Sequence, residues 1–187
     1  MPLRNARHLA TQAMQALLRP GDIAVDATLG NGHDALMLAQ AVGEGGQVYG
    51  FDVQAAAVAA ATGRLAEAGL LHRARFLCAG HETMAQHVPA PVRGIMFNLG
   101  WLPGGDKRIT TRVETTLTAI RAALALLDVG GLLSVCVYPG HDEGDRERAE
   151  VAALLGALPV DAFSALHHRF INYPNDPPEL FLVERTR

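Results

Sequence analysis

Tyr173-Pro174-Asn175-Asp176-Pro177-Pro178 decides how this chain is read. The segment lies between two strand-like stretches, Phe163 to Asn172 and Leu180 to Glu184, and its prolines make it too rigid and too short for a crossover helix. The two stretches must therefore pair as an antiparallel hairpin. Working upstream, Asp145 to Leu158 reads as a helix, and Leu132 to Tyr138 is the unbroken apolar run expected of a strand buried on both faces. Thr111-x-x-Glu114 predicts a capping box opening a helix that runs to about Leu127 and is closed by Gly130-Gly131.

The N-terminal half alternates in the same way. Leu3, Ala6, Leu9, Ala10, Ala13, Met14, Leu17 and Leu18 follow helical spacing and stop at Arg19-Pro20-Gly21. Strands are expected at Ile23 to Ala27, Gln47 to Phe51, Ala74 to Cys78 and Gly94 to Asn98. Between them lie helices at Leu36 to Ala41 and Gln54 to Ala68, and a helical turn at Glu82 to His87. Alternation of this kind predicts an α/β doubly wound sheet with helices on both faces and ligands at the carboxyl ends of the strands. A seven-stranded, mostly parallel sheet with a reversed C-terminal strand resembles the Rossmann-like class I methyltransferase fold more than a dinucleotide-binding dehydrogenase.

The 187 residues, 49% of them apolar and 19% charged, are expected to form one domain spanning residues 1–187. The longest apolar runs, 122–127 and 132–138, fall far short of the roughly 18 residues that a membrane span needs. Arg4 and Arg7 are followed by Thr11, Gln12 and Gln15 rather than by an apolar core, so a secretory leader is not expected and the protein is read as cytoplasmic. Cys78 and Cys136 are too far apart, and too isolated, for a metal or disulfide framework. The net charge of -3 provides no global field for nucleic acid, so an RNA substrate would need a local patch.

The turn Asp26-Ala27-Thr28-Leu29-Gly30-Asn31-Gly32 follows the first strand, and its glycines let the backbone approach a ligand. Gly30-x-Gly32-x-x-Ala35 also satisfies the dinucleotide fingerprint, with Asp52 placed to hold ribose hydroxyls under either reading. Asp26 favours S-adenosylmethionine, because a cationic cofactor can partner a buried carboxylate. Its competing role is to cap the turn through the amides of residues 28–30. Gly80-His81-Glu82 after the third strand puts two polar side chains within reach of the adenine or the amino-acid end of such a cofactor, or simply starts a helical turn. His33 and Asp34 open the first βα helix, where free amides suit a carboxylate.

Asn98-Leu99-Gly100-Trp101-Leu102-Pro103 ends the fourth strand and resembles the Asn-Pro-Pro-Tyr sequence of amino methyltransferases. That resemblance assigns Asn98 to the acceptor nitrogen and Trp101 to a stacking wall. Neither cysteine lies on a loop that would present a nucleophile, which disfavours methylation of base carbon. Lys107, Arg108 and Arg112 are candidates for RNA phosphates, and His141 in Tyr138-Pro139-Gly140-His141 for a proton acceptor.

Taken in order, Val25-Asp26-Ala27-Thr28 with Gly30-Asn31-Gly32, Phe51-Asp52-Val53-Gln54, Gly80-His81-Glu82, Phe97-Asn98-Leu99-Gly100-Trp101-Leu102-Pro103 and Tyr138-Pro139-Gly140-His141 resemble one small bacterial family labelled rRNA methylases. Characterised members methylate the amine of 5-aminomethyl-2-thiouridine at the tRNA wobble position. The resemblance implies that Asn31, His33, Asp52, Gln54, His81 and Glu82 contact S-adenosylmethionine. It also implies a tRNA partner met at the anticodon region and a homodimer, while the residues themselves suggest no metal site. Trp101 stands where the family commonly has tyrosine, and Ala79 where it often has an acid. The alternatives are a methyltransferase for rRNA or a small amine, and a nucleotide-binding module without catalysis.

Overall fold

The computed structural model describes residues 5–102, 104, 106, 108–140 and 142–187. Among them the chain runs α1 (Ala6–Leu17), β1 (Ile23–Asp26), α2 (His33–Ala41), β2 (Gln47–Asp52), α3 (Ala55–Glu67) and β3 (Ala74–Cys78). A 3₁₀ turn at His81–Gln86 leads to β4 (Val92–Asn98), followed by α4 (Val113–Leu126), β5 (Leu127–Val137), α5 (Asp142–Gly156), β6 (Phe163–His168) and β7 (Glu179–Arg185). The sheet order is β3-β2-β1-β4-β5-β7-β6, and β7 pairs antiparallel with both of its neighbours. The expected closing hairpin is present, and its second strand inserts beside β5.

Strand side chains alternate between the two faces, so each face collects its own core. Val25, Ile95, Phe97, Leu133, Val135 and Val183 pack under α4 and α5 with Ile120, Val151 and Leu155. Ala24, Val48, Met96, Cys136 and Leu180 meet Ala10 and Met14 of α1, Leu38 of α2 and Leu65 of α3. Helices therefore cover both faces, as the alternation predicts. Among the described residues, no helix is long and apolar enough to cross a membrane.

Two local expectations are corrected: Gly130-Gly131 lie within β5 rather than closing α4, and Thr111 does not cap that helix. Helix α4 begins at Val113, so Thr111 stands one residue too early to cap it. The Thr111 hydroxyl instead accepts from the Gly100 amide at 2.8 Å and donates to the buried Glu147 carboxylate at 2.9 Å. A buried carboxylate needs hydrogen bonds more than a half-exposed helix end does. The Val113 amide is met from α5, by Glu143 Oε1 at 3.3 Å.

Candidate active site

The chain leaves β1 toward β2 on one side and reaches β4 on the other, so β1 and β4 flank the point where strand order reverses. A crevice is expected at their carboxyl ends. A cavity of about 770 Å³ opens there, lined by the β1–α2 turn, the ends of β2 and β4, the Gly80–Glu82 segment, Tyr138 and the 108–112 loop. That volume suits a nucleoside-sized ligand together with part of a second substrate.

The β1–α2 turn is held by carboxylates. Asp26 is 1% exposed and accepts the Thr28 amide at 3.2 Å through Oδ1, while its Oδ2 has no hydrogen-bond partner among the described residues. Burial, reinforced by the charge of Asp34, pushes the Asp26 carboxyl up to about 8. Asp52 reaches across from β2, accepting the Gly30 amide at 3.0 Å and the Gln54 amide at 2.9 Å. Gly32 has φ +74°, and a Cβ there would lie 2.6 Å from Ala61 Cα, so α2 and α3 can approach only across a glycine. Asn31 accepts Arg64 Nε at 2.7 Å through its carbonyl oxygen.

His81 is buried against Phe97, and its Nδ1 lies 3.2 Å from the Ala27 carbonyl, which can only accept, so Nδ1 carries the proton. Burial holds this imidazole below its ordinary pKa, which keeps it neutral. On the acceptor side, the Thr28 hydroxyl accepts the Asn98 amide at 2.7 Å and locks the ends of β1 and β4 together. Asn98 Nδ2 donates to Asp34 Oδ2, and Arg7 donates to Asp34 Oδ1 at 3.3 Å. Asn98 Oδ1 is buried and has no hydrogen-bond partner among the described residues.

Thr28, Gly30, Asn31, His33, Asp52, Gln54, His81, Glu82, Asn98, Trp101, Arg108 and Arg112 all line the one cavity. Asp26 and Gly32 lie behind it and support its wall. Of the two roles weighed for Asp26, the turn cap is formed, through the Thr28 amide, and Asp26 is not among the residues that line the cavity. Trp101 is 37% exposed and bridges to Thr110 across the acceptor loop. Arg108 is clasped by Asp106, with contacts of 2.7 to 3.0 Å. Lys107 and His141 fall outside the described residues. Burial pushes the Cys136 thiol up to about 12, and the exposed Cys78 does not line the cavity.

Arg7, the Asp34 link to Asn98 and the Glu147 clamp were missed in the sequence. Burial raises the Glu147 carboxyl against the opposing effect of two threonine hydroxyls, Thr116 at 2.6 Å and Thr111 at 2.9 Å. Nothing local announces these contacts. They join elements far apart in the chain.

An acid at the end of β2 on the cavity wall, a glycine turn after β1 and a cavity between the strand ends fit S-adenosylmethionine. Fold and cavity together define a class I methyltransferase that uses this cofactor. The sequence matches the family described as "Putative rRNA methylase" over residues 48–184, and the chain belongs to that family. It is 36% identical to a tRNA (mnm(5)s(2)U34)-methyltransferase, chloroplastic, of Arabidopsis thaliana, covering 97% of this chain and 70% of that protein. A "putative rRNA-methylase" from Clostridium thermocellum superposes with a TM-score of 0.97 at 38% identity, over 99% of this chain and 100% of that one. A "putative methyltransferase" from Streptococcus mutans, solved in complex with SAH, superposes with a TM-score of 0.90 at 32% identity, over 98% and 99% of the two chains.

Proposed function

We propose that this enzyme N-methylates the aminomethyl group of 5-aminomethyl-2-thiouridine at the tRNA wobble position, giving 5-methylaminomethyl-2-thiouridine. The observation that carries the nitrogen assignment is Asn98, whose Oδ1 is a buried acceptor without a partner among the described residues at the cavity wall. A primary amine offers N–H groups to such an oxygen and keeps a lone pair for attack. The Arabidopsis relative's name supports the wobble uridine as the substrate.

Bound S-adenosylmethionine supplies an electrophilic sulfonium methyl. The amine, after losing one proton to solvent, forms the new N–C bond as the C–S bond breaks and its electron pair returns to sulfur. Asn98 Oδ1 holds one N–H of the acceptor, fixing the direction of the lone pair. Asp34 beside it takes the Asn98 NH₂ and is itself paired with Arg7. Trp101 forms a partly exposed side against which the uracil ring stacks. Asp52 orders the turn and keeps acceptor capacity for ribose hydroxyls. We take the enzyme to act in the cytoplasm as a homodimer, with sedimentation equilibrium the check on the assembly.

The test is methyl transfer by the purified protein to tRNA that carries the aminomethyl precursor, read by nucleoside mass spectrometry. The expected result is conversion to the 5-methylaminomethyl form. Absence of conversion, with S-adenosylhomocysteine binding intact, would overturn the substrate assignment.

A further inference from the structure

We infer that Asp34 is a positioning residue that sets which end of the Asn98 amide meets the acceptor amine; the inference rests on the acceptor role proposed for Asn98. Asp34 is the second residue of α2, and its side chain is 12% exposed. Its Oδ2 takes the Asn98 Nδ2 hydrogen and its Oδ1 faces Arg7 at 3.3 Å. An asparagine amide has two ends of similar shape and opposite polarity, so something in its surroundings must choose between them.

An ionised carboxylate only accepts hydrogen bonds. Only one orientation of Asn98, with the NH₂ toward Asp34, satisfies the pair. The other orientation would set oxygen against oxygen. Once the NH₂ is engaged, Oδ1 is the remaining group, buried and without a partner among the described residues. Thr28 restrains the same residue from the backbone side through the Asn98 amide at 2.7 Å. Arg7 restrains Asp34 in turn, so three elements, α1, α2 and β4, fix a single oxygen. Asp34 need not touch the acceptor to govern this oxygen.

The consequence is selectivity for nitrogen that donates. With Oδ1 presented, a primary amine is held and its lone pair is left free. With the NH₂ presented, the amide would donate to that lone pair and remove the nucleophile.

A double-mutant cycle tests the inference. Asp34→Ala is expected to lower kcat about 100-fold, the scale of a misplaced contact, with the acceptor KM and the S-adenosylhomocysteine Kd within about 3-fold of wild type. Asp34→Asn, whose amide can still offer an oxygen to Asn98, is expected to recover about 10-fold of that loss. Adding Asp34→Ala to Asn98→Ala is expected to change the rate by less than about 3-fold. Multiplying losses, or wild-type kcat in Asp34→Ala, would overturn the inference.

A second readout does not depend on turnover. The Asn98 side-chain amide signals, assigned by their absence in Asn98→Ala, are expected to include one proton shifted strongly downfield in wild type. That shift is expected to vanish in Asp34→Ala while the backbone spectrum stays folded. Unmoved signals would overturn the inference whatever the substrate. A wild-type protein that is inactive on tRNA but shows the shift would overturn the substrate assignment alone.

Discussion

Asp52 on β2 accepts the Gly30 amide from the neighbouring β1–α2 turn at 3.0 Å, so the residue expected to meet ribose also builds the turn beneath the cofactor. Its other oxygen accepts the Gln54 amide. Asp52→Asn would place an NH₂ against one of two N–H donors, and hydrogen bonds to a charged acceptor contribute about 1.5–3 kcal/mol each. The substitution is expected to weaken S-adenosylmethionine binding about 10- to 100-fold by calorimetry. Unchanged affinity would show that the turn does not need this carboxylate.

Asp26 gives stability a pH dependence whose sign follows from its raised pKa. With a folded value of about 8 against the ordinary 3.8, the carboxyl favours the folded state in its protonated form. That contribution is fully present below about pH 3.8, falls as pH rises and is gone above about 8. The thermal midpoint of wild type relative to Asp26→Asn is expected to decline between pH 5 and 8 and then level off, at constant ionic strength. A difference independent of pH would contradict the assignment.

Glu147 couples α5 to the acceptor loop through Thr111, which itself holds both the amide and the carbonyl of Gly100. Glu147→Gln keeps one oxygen but turns a donor toward a hydroxyl that was donating. An effect of about 10-fold on kcat/KM for the RNA acceptor is expected, with S-adenosylhomocysteine affinity unchanged. Equal losses in both quantities would mean that the clamp supports the whole cavity rather than the acceptor side.

Arg108 and Arg112 are expected to differ in their contribution to RNA binding. Arg108 is paired with Asp106, whereas Arg112 faces the cavity with no carboxylate within ion-pair distance among the described residues. Arg112→Ala is expected to reduce the slope of log K against log salt by about 1 for tRNA. Arg108→Ala is expected to reduce it less, and Asp106→Ala to strengthen binding. The reverse ranking would place the phosphate path elsewhere.

Most of the fold was legible because strand and helix periods are local, and because Pro177 and Pro178 forbid a helix between the last two strands. The candidate residues at the ends of β1, β2 and β4 were legible for the same reason, since ligands meet this fold where strands end. The meeting of Asp34 with Asn98 was not, because it depends on how the first turn of α2 is set against a strand 64 residues away. Thr111 was misread through a related gap. Thr-x-x-Glu is a local pattern, while the carboxylate that takes the hydroxyl lies 36 residues downstream and is buried.

The insertion of β7 between β5 and β6 orders events during synthesis. β6 leaves the ribosome before β7, yet its recorded ladder is with β7, so it has no seat on the sheet until β7 has docked on β5. Until then the β5 edge and an orphaned β6 stand open together, a state in which strands of other nascent chains can pair. Pulse-labelled hydrogen exchange is expected to show β6 amides gaining protection no earlier than those of β7.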